Sequence, residues 1–125
     1  MSGQGFLRRF AAALITTALL AFAPAVADQH ASSIPEIPAA ELPAQASATI
    51  ELIRKGGPYP YERDGIVFGN FEKRLPPRER GYYREYTVRT PGAKSRGARR
   101  IVAGKGGELY YTEDHYQTFR RIKEP

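Results

Sequence analysis

The sequence predicts an α+β domain: a single N-terminal helix packed on an antiparallel β-sheet. Three observations lead there. A chain of 125 residues holds one ordinary domain. One stretch, from about Pro43 to Lys55, places Ala46, Ile50 and Ile53 on one face at helical spacing. From Tyr59 onward the period changes to that of short strands, punctuated by Pro58, Pro60, Asp64-Gly65, Pro76-Pro77, Pro91-Gly92 and Gly106-Gly107.

Taken in order, the chain begins with Arg8 and Arg9, an apolar run from Phe10 to Ala23, then Pro24 and the small residues Ala25-Val26-Ala27. That layout predicts a secretory signal peptide over residues 1–27, cleaved after Ala27. A transmembrane anchor fits less well, because the run is near the minimum spanning length and contains Thr16 and Thr17. Residues 28–40 are rich in Ala, Pro and Ser and read as a flexible linker, which places the folded domain at 41–125. In the helix, Pro43 suits the first turn and Gly56-Gly57 ends it. Strands are expected at Ile66–Phe68, Tyr82–Val88, Arg99–Ala103, Leu109–Thr112 and Thr118–Ile122. In the second of these, Tyr83, Glu85 and Thr87 share one face, and Tyr82, Arg84, Tyr86 and Val88 the other. The short turns favour antiparallel neighbours.

The net charge of +6 points to an anionic partner, and RNA, DNA and an anionic membrane all fit it. Removing residues 1–27 takes away two Arg and no acid, so the mature chain stays basic. The absence of cysteine excludes disulfides, thiol nucleophiles, Cys-based metal sites and a lipoprotein anchor. No cofactor or metal is expected, since Asp64, Glu72, Glu79, Glu85 and Asp114 are dispersed.

Three features carry possible chemistry. Glu85 sits in the middle of an aromatic, β-branched strand, where a carboxylate is either a solvated cross-strand partner or a fixed general base. His115 is the one histidine in the expected fold, since His30 lies in the linker, and imidazole is the commonest neutral-pH acid or base. Arg96, Arg99 and Arg100 cluster near Lys94; Arg99 and Arg100 point to opposite faces of a strand, so only one of them joins a given site. Such a cluster is either a solvated edge or a phosphate site. Together, a carboxylate, one imidazole and two arginines form a set suited to phosphodiester chemistry without a metal.

The residues also carry a family resemblance. The run Gly57-Pro-Tyr-Pro-Tyr-Glu-Arg-Asp-Gly-Ile-Val-Phe-Gly-Asn-Phe-Glu72 resembles the guanyl-preferring microbial ribonucleases, among them barnase, binase and especially the streptomycete enzymes. It continues through Leu75-Pro76, Gly81-Tyr-Tyr-Arg-Glu-Tyr-Thr-Val88, Thr90-Pro-Gly-Ala-Lys-Ser-Arg-Gly-Ala-Arg-Arg-Ile101 and Tyr110-Tyr-Thr-Glu-Asp-His-Tyr-Gln-Thr-Phe119. The resemblance spans about residues 42–122 and implies the microbial ribonuclease fold.

It further implies an endoribonuclease that cuts single-stranded RNA on the 3′ side of guanosine. Glu85 resembles the general base that takes the ribose 2′-OH proton, and His115 the general acid that protonates the leaving 5′-oxygen. Arg96 and Arg100 match the phosphate-binding pair, and Tyr116 adds a phosphate contact. Guanine preference is assigned to Phe68, Gly69, Asn70, Phe71 and Glu72. The carboxylate at the Glu72 position accepts the N1–H and N2–H₂ donors, backbone groups around Asn70 meet O6, and Phe68 stacks on the base. The chain departs from the family at Phe71, a position charged or polar in the streptomycete enzymes. There the ring is either the second wall of an aromatic sandwich around guanine or an exposed hydrophobe without a role. Gly69 replaces a larger residue and is expected to loosen the loop, and the disulfide of the streptomycete branch is absent. Single-stranded RNA is the expected partner of a monomer, with an acidic barstar-like intracellular inhibitor as a second partner and secretion or periplasmic release as its destination. The competing readings are a catalytically silent RNA-binding protein of the same fold, an exported toxin, and a structural or inhibitor-binding envelope protein.

Overall fold

The computed structural model describes residues 34–125 and, apart from them, Ala18. The expected signal peptide and residues 28–33 otherwise lie outside the described residues. The elements are β1 (Glu36–Pro38), a 3₁₀ turn (Ala39–Glu41), α1 (Ala44–Lys55), β2 (Ile66–Val67), β3 (Tyr83–Thr87), β4 (Arg100–Gly104), β5 (Leu109–Thr112) and β6 (Arg120–Lys123). The six strands form one sheet in the order β1-β6-β5-β4-β3-β2. From β2 to β6 every pairing is antiparallel, and β1 lies parallel to β6.

Two expectations need correction. The sheet is mixed, and residues 36–40, expected to be flexible linker, are part of the fold. Ile37 pairs with Ile122 and is buried, and the Arg121 N–H donates to the Pro35 carbonyl at 2.8 Å. Pro35 and Pro38 hid this strand from a compositional reading. An edge strand tolerates proline because its outward N–H has no ladder partner to lose.

The helix follows the expected boundaries. Pro43, in an extended conformation, precedes Ala44, and Gly56 closes the helix at φ 83°. The N–H groups of Gly56 and Gly57 both donate to the Leu52 carbonyl, at 2.9 and 3.0 Å, as a left-handed C-terminal glycine permits. Arg54 and Lys55 in the last turn complement the helix dipole. Ala46 and Ile50 are buried, Ile53 packs beside them, and Thr49 Oγ1 donates to the Thr87 carbonyl at 3.0 Å. That last bond ties the helix to β3.

Strand alternation divides the interior into two cores. Ala46 and Ile50 of the helix, with Ile37, Leu42, Val88, Ile101, Tyr111 and Ile122, fill one side of the sheet. Leu75, Tyr83, Val102, Tyr110 and Phe119 form the other. In the β3–β4 register Glu85 stands opposite Val102, and Thr87 opposite Arg100. Glu85 and Thr87 therefore emerge on the side away from the helix, beside the second core. Loop 68–80 covers that core: the Asn70 side chain exchanges two hydrogen bonds with the Leu75 backbone (2.9 and 3.0 Å), and Tyr83 OH donates to the Pro76 carbonyl at 2.6 Å.

Ile101 is fully buried at the centre of the helix-side core. Ile101→Ala is expected to lower stability by about 2–5 kcal/mol, read from urea denaturation, because the rigid sheet cannot close the cavity left behind.

Candidate active site

Glu85 is 7 % exposed at the centre of β3, and its Oε1 accepts two hydrogen bonds: from Arg96 Nη2 at 3.2 Å and from Tyr116 OH at 2.7 Å. Among the described residues Oε2 receives none. A carboxylate this buried requires such compensation. Arg96 is held on several sides. Its Nε donates to Thr87 Oγ1 at 2.7 Å, and Asp64 Oδ1 lies 3.9 Å from Nη2. Asp64 is itself anchored, accepting from the Thr87 N–H at 2.7 Å and the Tyr61 N–H at 3.2 Å.

Arg100 is almost fully buried. Its Nη1 donates to the carbonyls of Gly97 and Arg99 at 2.9 and 2.8 Å, and its Nε to Tyr116 OH at 3.1 Å. Among the described residues Arg96 Nη1 and Arg100 Nη2 have no acceptor, so each guanidinium keeps a terminal nitrogen for an anion. Tyr116 thus joins the carboxylate to the second arginine. Burial, followed by its hydrogen bond to Glu85 and the charge there, pushes the Tyr116 hydroxyl up to about 12, so it remains a proton donor across the ordinary pH range.

His115 is exposed and lies against Tyr116, with ring centroids 4.8 Å apart. Both residues have left-handed backbones, at φ 56° and 74°. Such conformations cost about 1–3 kcal/mol each and persist only where the surroundings enforce them. Here the His115 N–H donates to the Ala98 carbonyl at 3.0 Å and the Tyr116 N–H to Thr112 Oγ1 at 3.1 Å. Asp114 closes the turn, accepting from Thr112 Oγ1 (2.9 Å), Thr118 N–H (2.9 Å) and Thr118 Oγ1 (2.7 Å).

Beside Glu85 and Tyr116 opens a cavity of about 360 Å³ whose wall includes Phe68, Gly69, Asn70, Phe71 and Glu72. Phe68 stacks on Tyr116 at 5.1 Å, 30° from parallel, and meets Phe119 edge-on at 5.9 Å. One side of its ring is therefore fixed by protein. Asn70 adopts φ 53° and its carbonyl accepts from the Lys73 N–H at 3.0 Å, so Phe71 and Glu72 occupy the tip of a tight turn. Glu72 is exposed and pairs with Arg74 at 3.4 Å. At Gly69 a Cβ would come within 2.5 Å of the Phe71 ring, so the missing side chain leaves room for that ring.

A carboxylate held by arginines and a tyrosine, with an imidazole alongside and an aromatic cavity beside it, has known counterparts. The family model described as ribonuclease matches residues 24–123. The chain belongs to the ribonuclease family. It is 57 % identical over 89 residues to guanyl-specific ribonuclease St of Saccharopolyspora erythraea, covering 71 % of this chain and 88 % of that one. It is 54 % identical over 84 residues to guanyl-specific ribonuclease Sa of Kitasatospora aureofaciens, covering 66 % and 88 %. Among solved structures it is similar to ribonuclease Sa2 with guanosine-2′-cyclophosphate, at TM-score 0.70 and 52 % identity, covering 73 % of this chain and 97 % of that one.

In this ribonuclease the structure brings Glu85, Arg96, Arg100 and Tyr116 into one hydrogen-bonded cluster, with His115 against Tyr116 and the Phe68–Glu72 loop across the cavity. Arg99 does not join them: its charge acts on Tyr111 in the helix-side core. Three residues of the cluster's support were not singled out from sequence: Asp64 and Thr87, which hold Arg96, and Thr112, which holds the Tyr116 N–H. The Asp64-Gly65 pair signalled a turn, and nothing local shows that Asp64 also reaches β3. Among the described residues no group of three or more His, Cys, Asp or Glu could hold a metal ion.

Asp114 carries a testable consequence. Burial raises its carboxyl, but the hydrogen bonds from Thr118 and Thr112 outweigh this and bring it down to about 2. A carboxyl depressed in the folded state contributes stability above its unfolded value, and that contribution is lost as pH falls toward the folded value. Asp114→Ala is expected to lower the urea midpoint at neutral pH, with the gap from wild type narrowing steadily between about pH 4 and pH 2. Denaturation curves across that range check it; a gap independent of pH would contradict the assignment.

Proposed function

We propose that the chain is a guanyl-specific endoribonuclease that cleaves single-stranded RNA on the 3′ side of guanosine. The observation that carries this reading is the Glu85–Arg96–Tyr116–Arg100 cluster, set at the edge of a base-sized cavity. The names of the relatives, guanyl-specific ribonucleases St and Sa, point the same way. So does the binding of guanosine-2′-cyclophosphate and 3′-GMP by ribonuclease Sa2.

The chemistry follows from the donors and acceptors available. Glu85, through the oxygen that Arg96 and Tyr116 leave free, takes the proton of the guanosine 2′-OH. The 2′-oxygen attacks the adjacent phosphorus and the bond from phosphorus to the 5′-oxygen breaks. His115, exposed beside Tyr116, protonates that leaving oxygen. The first product is a 2′,3′-cyclic phosphate. Water then opens it, with His115 as base and Glu85 as acid, to a 3′-phosphate. Because the nucleophile belongs to the substrate, DNA does not react. The free nitrogens of Arg96 and Arg100 take the phosphoryl oxygens, and their fixed positions stabilise the developing charge without reorganisation. Tyr116 OH, whose one proton goes to Glu85 Oε1 at rest, adds a third contact by turning that proton to a phosphoryl oxygen once Glu85 has taken the 2′-OH proton. Glu72 at the turn tip accepts the N1–H and N2–H₂ of guanine, a pair adenine lacks, with Phe68 against the base and the Asn70 turn presenting backbone N–H groups to O6.

The sequence pattern of residues 1–27 supports export, with cleavage after Ala27 and release to the periplasm or the medium. The mature enzyme then acts as a monomer. A nuclease made in the cytoplasm needs restraint there, for which a small acidic barstar-like inhibitor is suited to the basic charge. N-terminal sequencing of the exported protein should begin at Asp28.

Short RNAs differing at a single G, A, U or C, incubated with chelator, test the activity. Cleavage after G alone through a cyclic phosphate is expected, and Glu85→Ala or His115→Ala should each lower kcat/KM by about 10²–10⁴-fold. Glu72→Gln should cost about tenfold or more of the preference for G over A while leaving the cyclising chemistry in place. A folded wild type that binds RNA and cuts none would favour the silent RNA-binding reading.

A further inference from the structure

The turn that presents Glu72 presents Phe71 beside it, and the reaction above makes no use of that ring. Phe71 is 81 % exposed, the single large hydrophobic so exposed among the described residues. It is propped rather than packed. Gly69 leaves the space its edge occupies, and the Arg80 guanidinium lies 5.9 Å from its centroid. The ring borders two cavities. One is the 360 Å³ cavity that reaches Glu85 and Tyr116. The other, of about 210 Å³, shares Gly69, Asn70 and Phe71 with it but reaches Lys73, Pro77 and Arg78 instead. No carboxylate lines this second cavity, and Lys73 and Arg78 are both exposed.

An exposed aromatic face with cations around it has the chemistry of single-strand binding: a base stacks on the ring and a phosphate sits between the charges. We propose that Phe71, Lys73 and Arg78 form a subsite for the nucleotide on the 5′ side of the recognised guanosine. The side follows from the two cavities. The scissile phosphate is 3′ of guanosine, at Glu85, and the 3′ nucleotide departs past His115. The second cavity reaches neither residue, so it serves the strand as it runs the other way. This rests on the proposed guanine site. It adds a dependence on chain length and assigns the departure at position 71 a function.

The test is steady-state cleavage of GpU, GpUpA and ApGpU. In the wild type, kcat/KM for ApGpU should exceed that for GpU by about fivefold or more, the low end of what stacking on an aromatic contributes. Phe71→Ala should bring the ApGpU/GpU ratio close to one, Phe71→Tyr should restore it, and neither should alter the GpUpA/GpU ratio. Lys73→Gln with Arg78→Gln should leave GpU cleavage at the wild-type value and flatten the salt dependence of the ApGpU/GpU ratio. A wild-type ApGpU/GpU ratio of one, or a ratio unchanged by Phe71→Ala, overturns the subsite while leaving the guanine site intact. Failure to cut GpU at all would instead refute the proposed activity.

Discussion

A carboxylate buried in the middle of a strand is a demand on everything around it, and Glu85 places that demand on four other segments of the chain. Taking an ion out of water costs several kcal/mol unless charge and hydrogen bonds replace the lost hydration. The replacement comes from the 88–99 loop through Arg96, from the 113–119 turn through Tyr116, and from β4 through Arg100, which reaches Glu85 by way of the tyrosine hydroxyl. Asp64, from the turn before β2, adds a second carboxylate 3.9 Å from the same Arg96 nitrogen that bonds Glu85. Segments far apart in sequence are thus drawn to one charge. The arrangement that keeps Glu85 stable also leaves one of its oxygens and two guanidinium nitrogens uncommitted, which is the set a phosphodiester transfer needs.

The sheet makes this possible by separating duties. Its helix-side face carries Ile101, Tyr111 and Val88 against Ala46 and Ile50, while Glu85, Thr87, Arg100 and Thr112 emerge on the other. The two faces touch through single groups: Thr87 gives its carbonyl to Thr49 on the helix and its hydroxyl oxygen to Arg96 at the site. Left-handed backbone at non-glycine residues falls in two turns among the described residues, one at Asn70 and Lys73 and one at His115 and Tyr116, and in the second the threonine and aspartate side chains around it supply the enforcing bonds. The general acid proposed at His115 must be exposed to meet a leaving group yet held in place, and a turn whose backbone is locked by Asp114 and Thr112 suits that role.

What the sequence made legible follows the range of the interactions. The helix could be read because its signals are local: Pro43 before it, Gly56 after it, and a repeat of apolar residues between. The face on which Glu85 stands could be read because strand periodicity is local too. β1 could not, since its three residues are held by pairing with β6, more than eighty positions away, and its flanking prolines speak against a strand until its edge position is known. Asp64 was equally hidden, because its partners on β3 are set by tertiary register. The catalytic candidates were individually ambiguous, and the order of motifs in the family resemblance joined them. Gly69, legible only as a missing side chain, is also the space into which the Phe71 ring fits, which needs the folded loop to be seen.

The recognition turn shows why pocket and stability are coupled here. Its tip residues are exposed, but its base is not: the Asn70 side chain bonds both backbone groups of Leu75, and Leu75 is fully buried against Tyr83, Val102, Tyr110 and Phe119. Phe68, entering the turn, packs on Tyr116 and Phe119, so the proposed guanine wall and the hydroxyl that bonds Glu85 share a surface. With no cysteine to close the loop by a disulfide, this second core and the bond from the Phe68 N–H to the Tyr83 carbonyl at 2.9 Å hold the Asn70 turn to the sheet that carries Glu85 and Arg100. A loss of packing at Leu75 or Phe119 would loosen that spacing before it unfolded the helix-side core. Transfer of a phosphoryl group by positioned acids and bases depends steeply on such spacing. Catalysis in this fold should therefore be more sensitive than global stability to substitutions in the smaller core.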